Sequence, residues 1–471
     1  MRVVCLEIAF DAVAAQPEGV ADQASLGVAA DAARHGAAPL SNRVHYNTTG
    51  AICTVWRDED RIASAGRVQV KYSDIVHSRA VARPGRPMAQ AEHTHPVPFH
   101  TFSGSHRDMG KQQGEALSGM IARGRKMLIE SEEFNMARPA YLPRRMFLTL
   151  AQFGIWMKYS AHIQWYCPRQ FERLLGIARG AHVPPEYTLL LHAMEVEMNK
   201  VDYLMPGACT ALGVRGARAL GGEPVIVKNF DYPEKFRELY IARLDAPAGR
   251  HRVLCSTAAP LAGNHDGVNE HGLVICYNYG YGQDEPRRNV PITLWVQEAL
   301  ETCRTTAEAV DLIKRGRRCG GALLMICDAS GDLRTLEVSN TMAHERMPQH
   351  SVLINTNHYL DEMMARIDVP RDAVYTDRCV PPLRGVRCRE SSEARYARAL
   401  ELLAAHDRIG DAELIAMASD HGAHGAPSDN TICRHSDYFS TTCSLVFYPA
   451  RRAMKITHGN PCRSEFMEFS L

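Results

Sequence analysis

Cys209 is placed where a thiol can act on its own peptide bond. It follows Pro206-Gly207-Ala208 and heads the β-type run TALGVR, so small residues leave the bond before it unhindered. Attack of the thiol on the Ala208 carbonyl gives a thioester, whose hydrolysis frees the α-amine of Cys209. That amine has a reference pKa of about 7.7–8.0 and can take the thiol proton, so nucleophile and base share one residue. A cysteine is more often a buried, inert thiol, but no other of the fourteen is placed in this way.

The bulk composition is that of an ordinary globular protein. The 471 residues are 45% hydrophobic and 23% charged, with a formal net charge of +1. The densest basic run, residues 314–318, is short and has no interleaved aromatic residues. Neither feature favours a polyanion, so we expect no nucleic-acid partner.

The cysteine spacing and the first residues bear on metals and on compartment. The cysteines contain no CxxC pair and no spacing typical of zinc, which predicts neither a disulfide framework nor a metal site. Glu7 and Asp11 interrupt what would be the apolar part of a signal peptide, so a reducing, cytoplasmic location is expected. Apolar stretches fall short of the roughly 18 residues that cross a bilayer, so no membrane anchor is expected.

Three regions are expected along the chain. Residues 1–95 lack sustained periodicity, which predicts a weakly ordered extension, with Met88 as an alternative start. Residues 96–208 begin with a short strand and continue as helices, the first of which is capped by Ser105 and runs to about Leu128. Further helices are predicted at residues 141–162, 169–180 and 185–200.

The third region, residues 209–471, alternates β-type runs with helices. The predicted strands are TALGVR, PVIVKN, LYIARL, RVLCST, GLVICYNY, ALLMICD, LRTLEV, SVLINT, CSLVFYP and AMKITH. Helices are predicted at residues 292–301, 305–315 and 391–405. Turn clusters such as Gly221-Gly222 and residues 264–267 separate the strands and favour antiparallel hairpins. The pattern predicts an α+β protein with helices packed over antiparallel sheet.

Several motifs, in order, resemble one family. They are GACTALGV, KNFDY, DGVNEHGLVICYNYG, NTNHYL, SSEARYAR, TICRH and GNPC. With the helix FSGSHRDMGKQQGEAL they are similar to the isopenicillin N acyltransferases, or acyl-CoA:6-aminopenicillanic acid acyltransferases, of the N-terminal-nucleophile (Ntn) hydrolases. A more distant resemblance is to choloylglycine hydrolases and penicillin V acylases. Over about residues 98–471 it implies the Ntn-hydrolase fold, a four-layer αββα sandwich of two antiparallel sheets flanked by helices, after a helical pro-segment.

The resemblance implies a set of catalytic residues. Cys209 matches the nucleophile, and Asp231, in KNFDY, matches the carboxylate that orients its α-amine. A carboxylate in that place would stabilise the ammonium form. Asn278, in CYNYG, matches the oxyanion-hole Asn, whose amide donates to the carbonyl oxygen as charge develops. Asn357, in NTNHY, matches a second Asn that holds substrate and intermediate, and Arg395, in SEARYAR, matches a late Arg close to the nucleophile.

Other matched positions carry less specific expectations. Ala208 replaces the Gly that often precedes the nucleophile, and the cleavage is expected between Ala208 and Cys209. Lys228 stands where the bile-salt branch has Arg, and with Asn229 it is expected to contact substrate. Three further residues are expected to be structural: His358, Asn269 in a turn, and Cys433 in the core.

The favoured function is an autoprocessed cysteine enzyme that acts on a small N-acyl amide through a thioacyl intermediate on Cys209. Its two fragments are expected to stay associated, and the acyl group passes to water or to an amine. No metal or organic cofactor is implied, and an acyl-coenzyme A donor belongs to the transferase alternative. An uncleaved thiol peptidase would instead need His265, His271 or His358 as its base. A non-catalytic binding protein is the remaining alternative.

Overall fold

The computed structural model describes residues 97–197, 208–285, 287–436 and 438–471. The extension predicted for residues 1–95, including Met88, lies outside the described residues, and so do residues 198–207. In the described part of the chain, no helix is both long enough and apolar enough to cross a membrane.

Six described helices precede Cys209. They are α1 (His106–Ala116), α2 (Ser118–Glu130), α3 (Glu132–Ala137), α4 (Arg144–Tyr166), α5 (Pro168–Gly180) and α6 (Pro185–Glu197). Ser105 caps α1 as predicted, because its hydroxyl accepts a hydrogen bond from the Asp108 N–H at 3.2 Å. Proline opens α5 and α6, where its missing N–H leaves no helical bond unmade. The single helix predicted from Ser105 to about Leu128 is wrong in one respect, because it divides at Leu117.

Eight strands form the first sheet. They are β1 (Phe99–Gly104), β4 (Tyr240–Pro247), β5 (Val253–Ala258), β6 (Asp266–Asn269), β7 (Val274–Tyr279), β10 (Ala322–Cys327), β11 (Leu333–Val338) and β12 (Ala343–Arg346), side by side in that order. All neighbours are antiparallel except β1, which runs parallel to β4. Since β1 precedes Cys209 and β4 follows it, the two parts of the chain share one sheet.

Six strands form the second sheet, which is antiparallel throughout. In spatial order they are β13 (Val352–Asn355), β2 (Ala208–Val214), β3 (Val225–Pro233), β14 (Phe439–Tyr448), β15 (Ala453–Ile456) and β16 (Met467–Ser470). A separate two-stranded pair joins β8 (Val290–Pro291) to β9 (Arg318–Cys319). The later helices are α7 (Ile292–Thr302), α8 (Thr306–Arg315), α9 (Glu390–Ala404) and α10 (Asp411–Ala418).

Strand alternation builds four layers from these elements. On β7, Ile275 packs in the core shared with the helices of α1–α8, whereas Cys276 packs in the core between the sheets. On β2, Ala211 faces the first sheet and Leu212 belongs to the core shared with α9 and α10. Each strand face therefore buries apolar side chains against a different layer. The predicted αββα sandwich is confirmed, with β1 as its one parallel strand.

Helices α1 and α5 touch through glycine. A Cβ on Gly110 would lie 2.2 Å from the carbonyl oxygen of Arg173, and one on Gly176 would lie 2.3 Å from that of Arg107. Only glycine allows two helix backbones to approach so closely. At this contact the buried Arg173 guanidinium donates to Asp245 of β4 at 2.7 Å, which fastens the helices to the sheet.

The elements that sequence patterns missed are polar or short. Residues 264–267 were expected to form a turn, but Asp266–Asn269 is strand β6, paired with β5 on one side and β7 on the other. Asn269 is buried there, and the left-handed backbone lies instead at Gly272, with φ 84°. Helices α3 and α10 and strands β12 and β16 were not predicted, since four to eight residues hold too little periodicity.

Candidate active site

The thiol of Cys209 lies between the two sheets, near the start of β2. Cys209 pairs with Phe230 of β3 and is only 2% exposed. Burial raises its pKa to about 12, against the opposing effect of the Lys228 ammonium. In the uncut chain this thiol is therefore protonated at neutral pH and a poor nucleophile.

Lys228 forms a buried ion pair beneath the thiol. Its ammonium donates to the Asp266 carboxylate at 2.5 Å and to the carbonyl of Tyr277, and both charged side chains are almost fully enclosed. Burial alone would lower the pKa of Lys228, but the Asp266 charge outweighs it and raises that pKa. Lys228 therefore stays cationic, and its ammonium donates hydrogen bonds to protein groups. Sequence patterns missed Asp266, because Asp-Gly reads as a turn.

Asn357 and Arg395 converge on the backbone of Cys209. The Cys209 N–H donates to Asn357 Oδ1 at 3.0 Å, and Arg395 donates to the same oxygen at 2.8 Å. Arg395 also donates to the Cys209 carbonyl at 2.6 Å and to Thr210 Oγ1 at 2.8 Å. The Asn357 amide nitrogen is held in turn by the carbonyl of Tyr279 at 2.9 Å. Two residues far apart in sequence thus fix the nitrogen and the carbonyl on either side of the Cys209 Cα.

The Arg395 guanidinium lies in a crowded, buried setting. Burial, and next the neighbouring Arg434 cation, lower its pKa to about 10, while Asp231 acts in the opposite sense. It remains charged at neutral pH. Because it is only 1% exposed, its positive charge is little screened by solvent and acts on the nucleophile's surroundings.

Asp231 lies opposite Ala208, the residue before Cys209. The two are register partners across β2 and β3. Its Oδ1 accepts from Thr441 Oγ1 at 2.7 Å, and Arg434 Nη1 lies 3.9 Å from its Oδ2, which accepts no hydrogen bond within the described residues. Burial raises the pKa of Asp231, against the lowering effects of Arg434 and Arg395. Asp231 thus offers an acceptor oxygen on the strand that pairs with Ala208.

Asn278 binds the backbone just before Asn357, and both of its amide hydrogens are in use. It lies on β7, and its amide nitrogen donates to the carbonyls of Asn355 at 3.1 Å and Thr356 at 3.0 Å. These carbonyls directly precede Asn357. Asn278 therefore holds the end of β13. An oxyanion could bind its amide only by displacing one of these carbonyls.

Asn229 and His358 make structural contacts. The Asn229 amide donates to the carbonyls of Ala418 and Ile432, on the helix side of the sheet, whereas Lys228 faces the other sheet. His358 Nδ1 lies 2.7 Å from Ser392 Oγ, and burial lowers its pKa to about 4. Both side chains therefore bond to protein groups in this structure.

The other two histidines considered as bases have their own neighbours. The His265 ring packs 5.2 Å from the Phe230 ring and 5.3 Å from that of Tyr277. His271 lies against His251, with ring nitrogens 3.2 Å apart, in a loop after β6. These contacts favour structural roles for both rings.

One cavity lies beside Ala208, and a second is lined by rings that pack on Phe230, the register partner of Cys209. A small one of about 60 Å³ is lined by Ala208, Tyr281, Arg395 and Arg434 among others, so it meets the residue that precedes Cys209. A larger one of about 220 Å³ is mostly apolar. Its lining includes Phe134, Ile155 and Met194 from the helices, Tyr232 and Tyr240 from the sheets, and His265 just before β6. The last three rings pack around Phe230, the register partner of Cys209.

Arg434 and Thr441 are site residues that the motifs did not single out. Both contact Asp231, and the backbone N–H of Arg434 also donates to Thr441 Oγ1 at 2.9 Å. Arg434 lies within the motif TICRH, which was the available signal. Thr441 stands in a threonine-rich stretch with no motif of its own.

Solved structures offer only weak likenesses. A Caenorhabditis elegans N-acylethanolamine-hydrolyzing acid amidase ortholog is 14% identical, with a TM-score of 0.37, over 51% of this chain and 93% of its own. A variant of conjugated bile acid hydrolase from Clostridium perfringens is 13% identical, with a TM-score of 0.36, over 56% and 97%. Penicillin V acylase from Agrobacterium tumefaciens is 16% identical, with a TM-score of 0.34, over 53% and 83%. Scores this low add nothing to the assignment.

Comparison of sequences is more informative. No curated protein sequence matches the chain. The family model of acyl-coenzyme A:6-aminopenicillanic acid acyl-transferase matches residues 219–463, which include Asp231, Asn278, Asn357 and Arg395 and begin just after Cys209. Because this match spans more than half of the 471 residues, the chain belongs to the acyl-coenzyme A:6-aminopenicillanic acid acyl-transferase family.

Proposed function

We propose that the protein cleaves its own Ala208–Cys209 bond and then acts on small N-acyl amides with Cys209 as an N-terminal nucleophile. One observation carries this proposal. Asn357 and Arg395 bind the backbone on both sides of the Cys209 Cα, while Asp231 lies opposite Ala208. A buried cysteine with only a structural role does not need a side chain to bind its backbone nitrogen.

The proposed cleavage begins with an acyl shift from nitrogen to sulfur. The Cys209 sulfur adds to the Ala208 carbonyl carbon, the carbon–nitrogen bond breaks, and the nitrogen takes the thiol proton to become an amine. Water then hydrolyses the thioester, which releases the Ala208 carboxylate and restores the thiol. Asn357 Oδ1 already accepts the hydrogen on that nitrogen, so it holds the leaving nitrogen in place.

Turnover uses the amine that cleavage creates. The α-amine takes the thiol proton, and the sulfur attacks the amide carbonyl of the substrate. Asp231 stabilises the resulting ammonium, which then protonates the leaving amine. Asn278 donates to the oxyanion and gives up its hydrogen bond to the carbonyl of either Asn355 or Thr356. Water or an acceptor amine finally takes the acyl group from the sulfur.

The two cavities suggest which part of a substrate each of them binds. The apolar cavity behind Phe230 suits an apolar acyl group. The smaller cavity, which Arg395 and Arg434 line, suits a polar amine portion and grows when Ala208 leaves. The family name favours a second candidate, in which acyl-coenzyme A is the acyl donor and an amine the acceptor.

The decisive experiment is mass spectrometry of the purified full-length chain. We expect two fragments that copurify, the larger beginning Cys-Thr-Ala-Leu, and a single uncut chain for Cys209→Ala. Cys303→Ala is the matched control, since Cys303 is a buried cysteine outside the site, and it should be cut like the wild type. A single full-length wild-type chain that hydrolyses N-acyl amides would refute the proposal.

Hydrolysis and transfer are separated by a second assay. The cut protein is offered a panel of N-acyl amines with apolar acyl chains, with and without acyl-coenzyme A and a free amine. Release of fatty acid from the amide alone supports the hydrolase. New amide formed only with acyl-coenzyme A supports the transferase.

A further inference from the structure

Two cysteines and two histidines from three separate loops meet beside β14. His421 follows α10, Cys433 and His435 precede β14, and Cys462 lies between β15 and β16. One ligand atom from each lies within 4.8 Å of the other three. His435 Nε2 is 3.2 Å from His421 Nε2, 3.3 Å from Cys433 Sγ and 3.2 Å from Cys462 Sγ.

These separations are close to those of a tetrahedral metal site. With bonds of about 2.0–2.1 Å to nitrogen and about 2.3 Å to sulfur, the ligand atoms around Zn²⁺ lie roughly 3.3–3.8 Å apart. Of the three distances from His435 Nε2, the one of 3.3 Å is at the lower limit of that range and the two of 3.2 Å fall just below it. Two thiolates with two imidazoles are a donor set that suits Zn²⁺. We propose that His421, Cys433, His435 and Cys462 bind one Zn²⁺ as a closed, structural site.

The loops that carry the ligands are already held in place. The Cys433 N–H donates to the Asp420 carbonyl at 3.0 Å, and Arg398 grips the Asp420 carboxylate with two bonds of 2.9 and 2.8 Å. Asn460, two residues before Cys462, donates to the carbonyls of Arg434 and Thr441. Such fixed surroundings orient ligands before the metal arrives.

The proposed metal acts on the active site through Arg434. This residue stands between the ligands Cys433 and His435, and its guanidinium lies 3.9 Å from Asp231. Four protein ligands leave no open position for substrate, so the metal holds the loop and takes no part in bond breaking. Arg434 is a positioning residue in this scheme. The ligands of the proposed site are spread over positions 421 to 462, so cysteine spacing, on which the expectation of no metal site was based, could not indicate it.

Metal analysis of the full-length protein tests the proposal. After incubation with Zn²⁺ and removal of free metal, we expect about one zinc ion per chain, falling below about 0.1 in Cys462→Ser and His421→Ala. His271→Ala is the matched control, because the cluster of His251, Glu270 and His271 is the other group of ligand side chains among the described residues. It should keep its zinc. Wild type with under about 0.1 zinc, or a ligand variant with undiminished zinc, would overturn the site.

Two measurements on the wild type guard against variants that misfold. Zinc should protect Cys433 and Cys462 from alkylation, read by peptide mass spectrometry, and chelation should expose both. Cobalt in place of zinc should give the visible absorption of a tetrahedral, thiolate-bound ion. A Cys433–Cys462 disulfide in freshly isolated protein, or alkylation indifferent to zinc, would overturn the proposal. These readouts are independent of cleavage at Cys209, so the two proposals fail separately.

Discussion

Replacement of Asp231 by Asn is the most direct test of the proposed proton relay. The change keeps the shape of the side chain and its ability to accept from Thr441, but removes its charge. An opposite charge within about 4–6 Å raises the pKa of an amine by about 1–3 units. Asp231 is fully buried, which strengthens its field, but Arg434 and Arg395 offset part of it.

We therefore expect a loss of about 1–2 units in the pKa of the freed α-amine. That corresponds to about 1.4–2.7 kcal/mol, or a roughly 10- to 100-fold lower kcat/KM. The acid limb of the pH profile should move to lower pH by the same 1–2 units, because the amine then loses its proton more readily. A structural role for Asp231 would lower activity without moving the limb.

The assay is kcat/KM against pH, divided by the cut fraction measured by intact-mass spectrometry. Thr441→Val is the control, since it removes the hydrogen bond to Asp231 and keeps the charge, and its acid limb should stay in place. A cut Asp231→Asn enzyme within about twofold of wild type, with an unmoved limb, would refute the reasoning.

Three further predictions concern stability and are tested by urea denaturation of a variant without the Cys209 thiol. Lys228→Met leaves Asp266 buried and unpaired and should destabilise by about 3–5 kcal/mol; a loss below about 1 kcal/mol would show that the pair is solvated. His358 has a folded pKa of about 4, below its unfolded value, so its contribution is present above pH 6.5 and lost as pH falls toward 4. His358→Gln should flatten stability across that window, and an unchanged slope would contradict the assignment. Gly110→Ala should destabilise by about 1–3 kcal/mol through its clash with Arg173, whereas Gly221→Ala, with open space around it, should not.

Sequence patterns could predict the fold class because most strands are apolar runs. The two faces of β7 bury apolar residues in different cores, and such runs are legible in a sequence. Strand β6 was not legible, since Asp266 and Asn269 have the residue types of a turn. Their partners, Lys228 and the carbonyls of Leu300 and Cys303 at the end of α7, are distant in sequence, so only the folded chain explains why polar residues lie in a central strand.

The site was predictable only in part, for a similar reason. The motifs name Asn357 and Arg395, and both contact Cys209. The motifs could not state which atoms Asn278 binds, nor that its donors are engaged before cleavage. Thr441, on β14, and the residues of the proposed zinc site, on loops, come together only through tertiary packing, and local patterns carry no information about it.

The parallel strand β1 has a consequence for folding. Together with the bonds Arg173–Asp245 and His106–Glu301, it ties the residues before Cys209 into the core of those after it. If the chain is cut as proposed, it must fold before it is cut, because folding is unimolecular only while the two parts are joined. Refolding of the cut protein becomes bimolecular, so its midpoint should depend on protein concentration. Cleavage would then turn a reversible fold into one retained chiefly by the slowness of its unfolding.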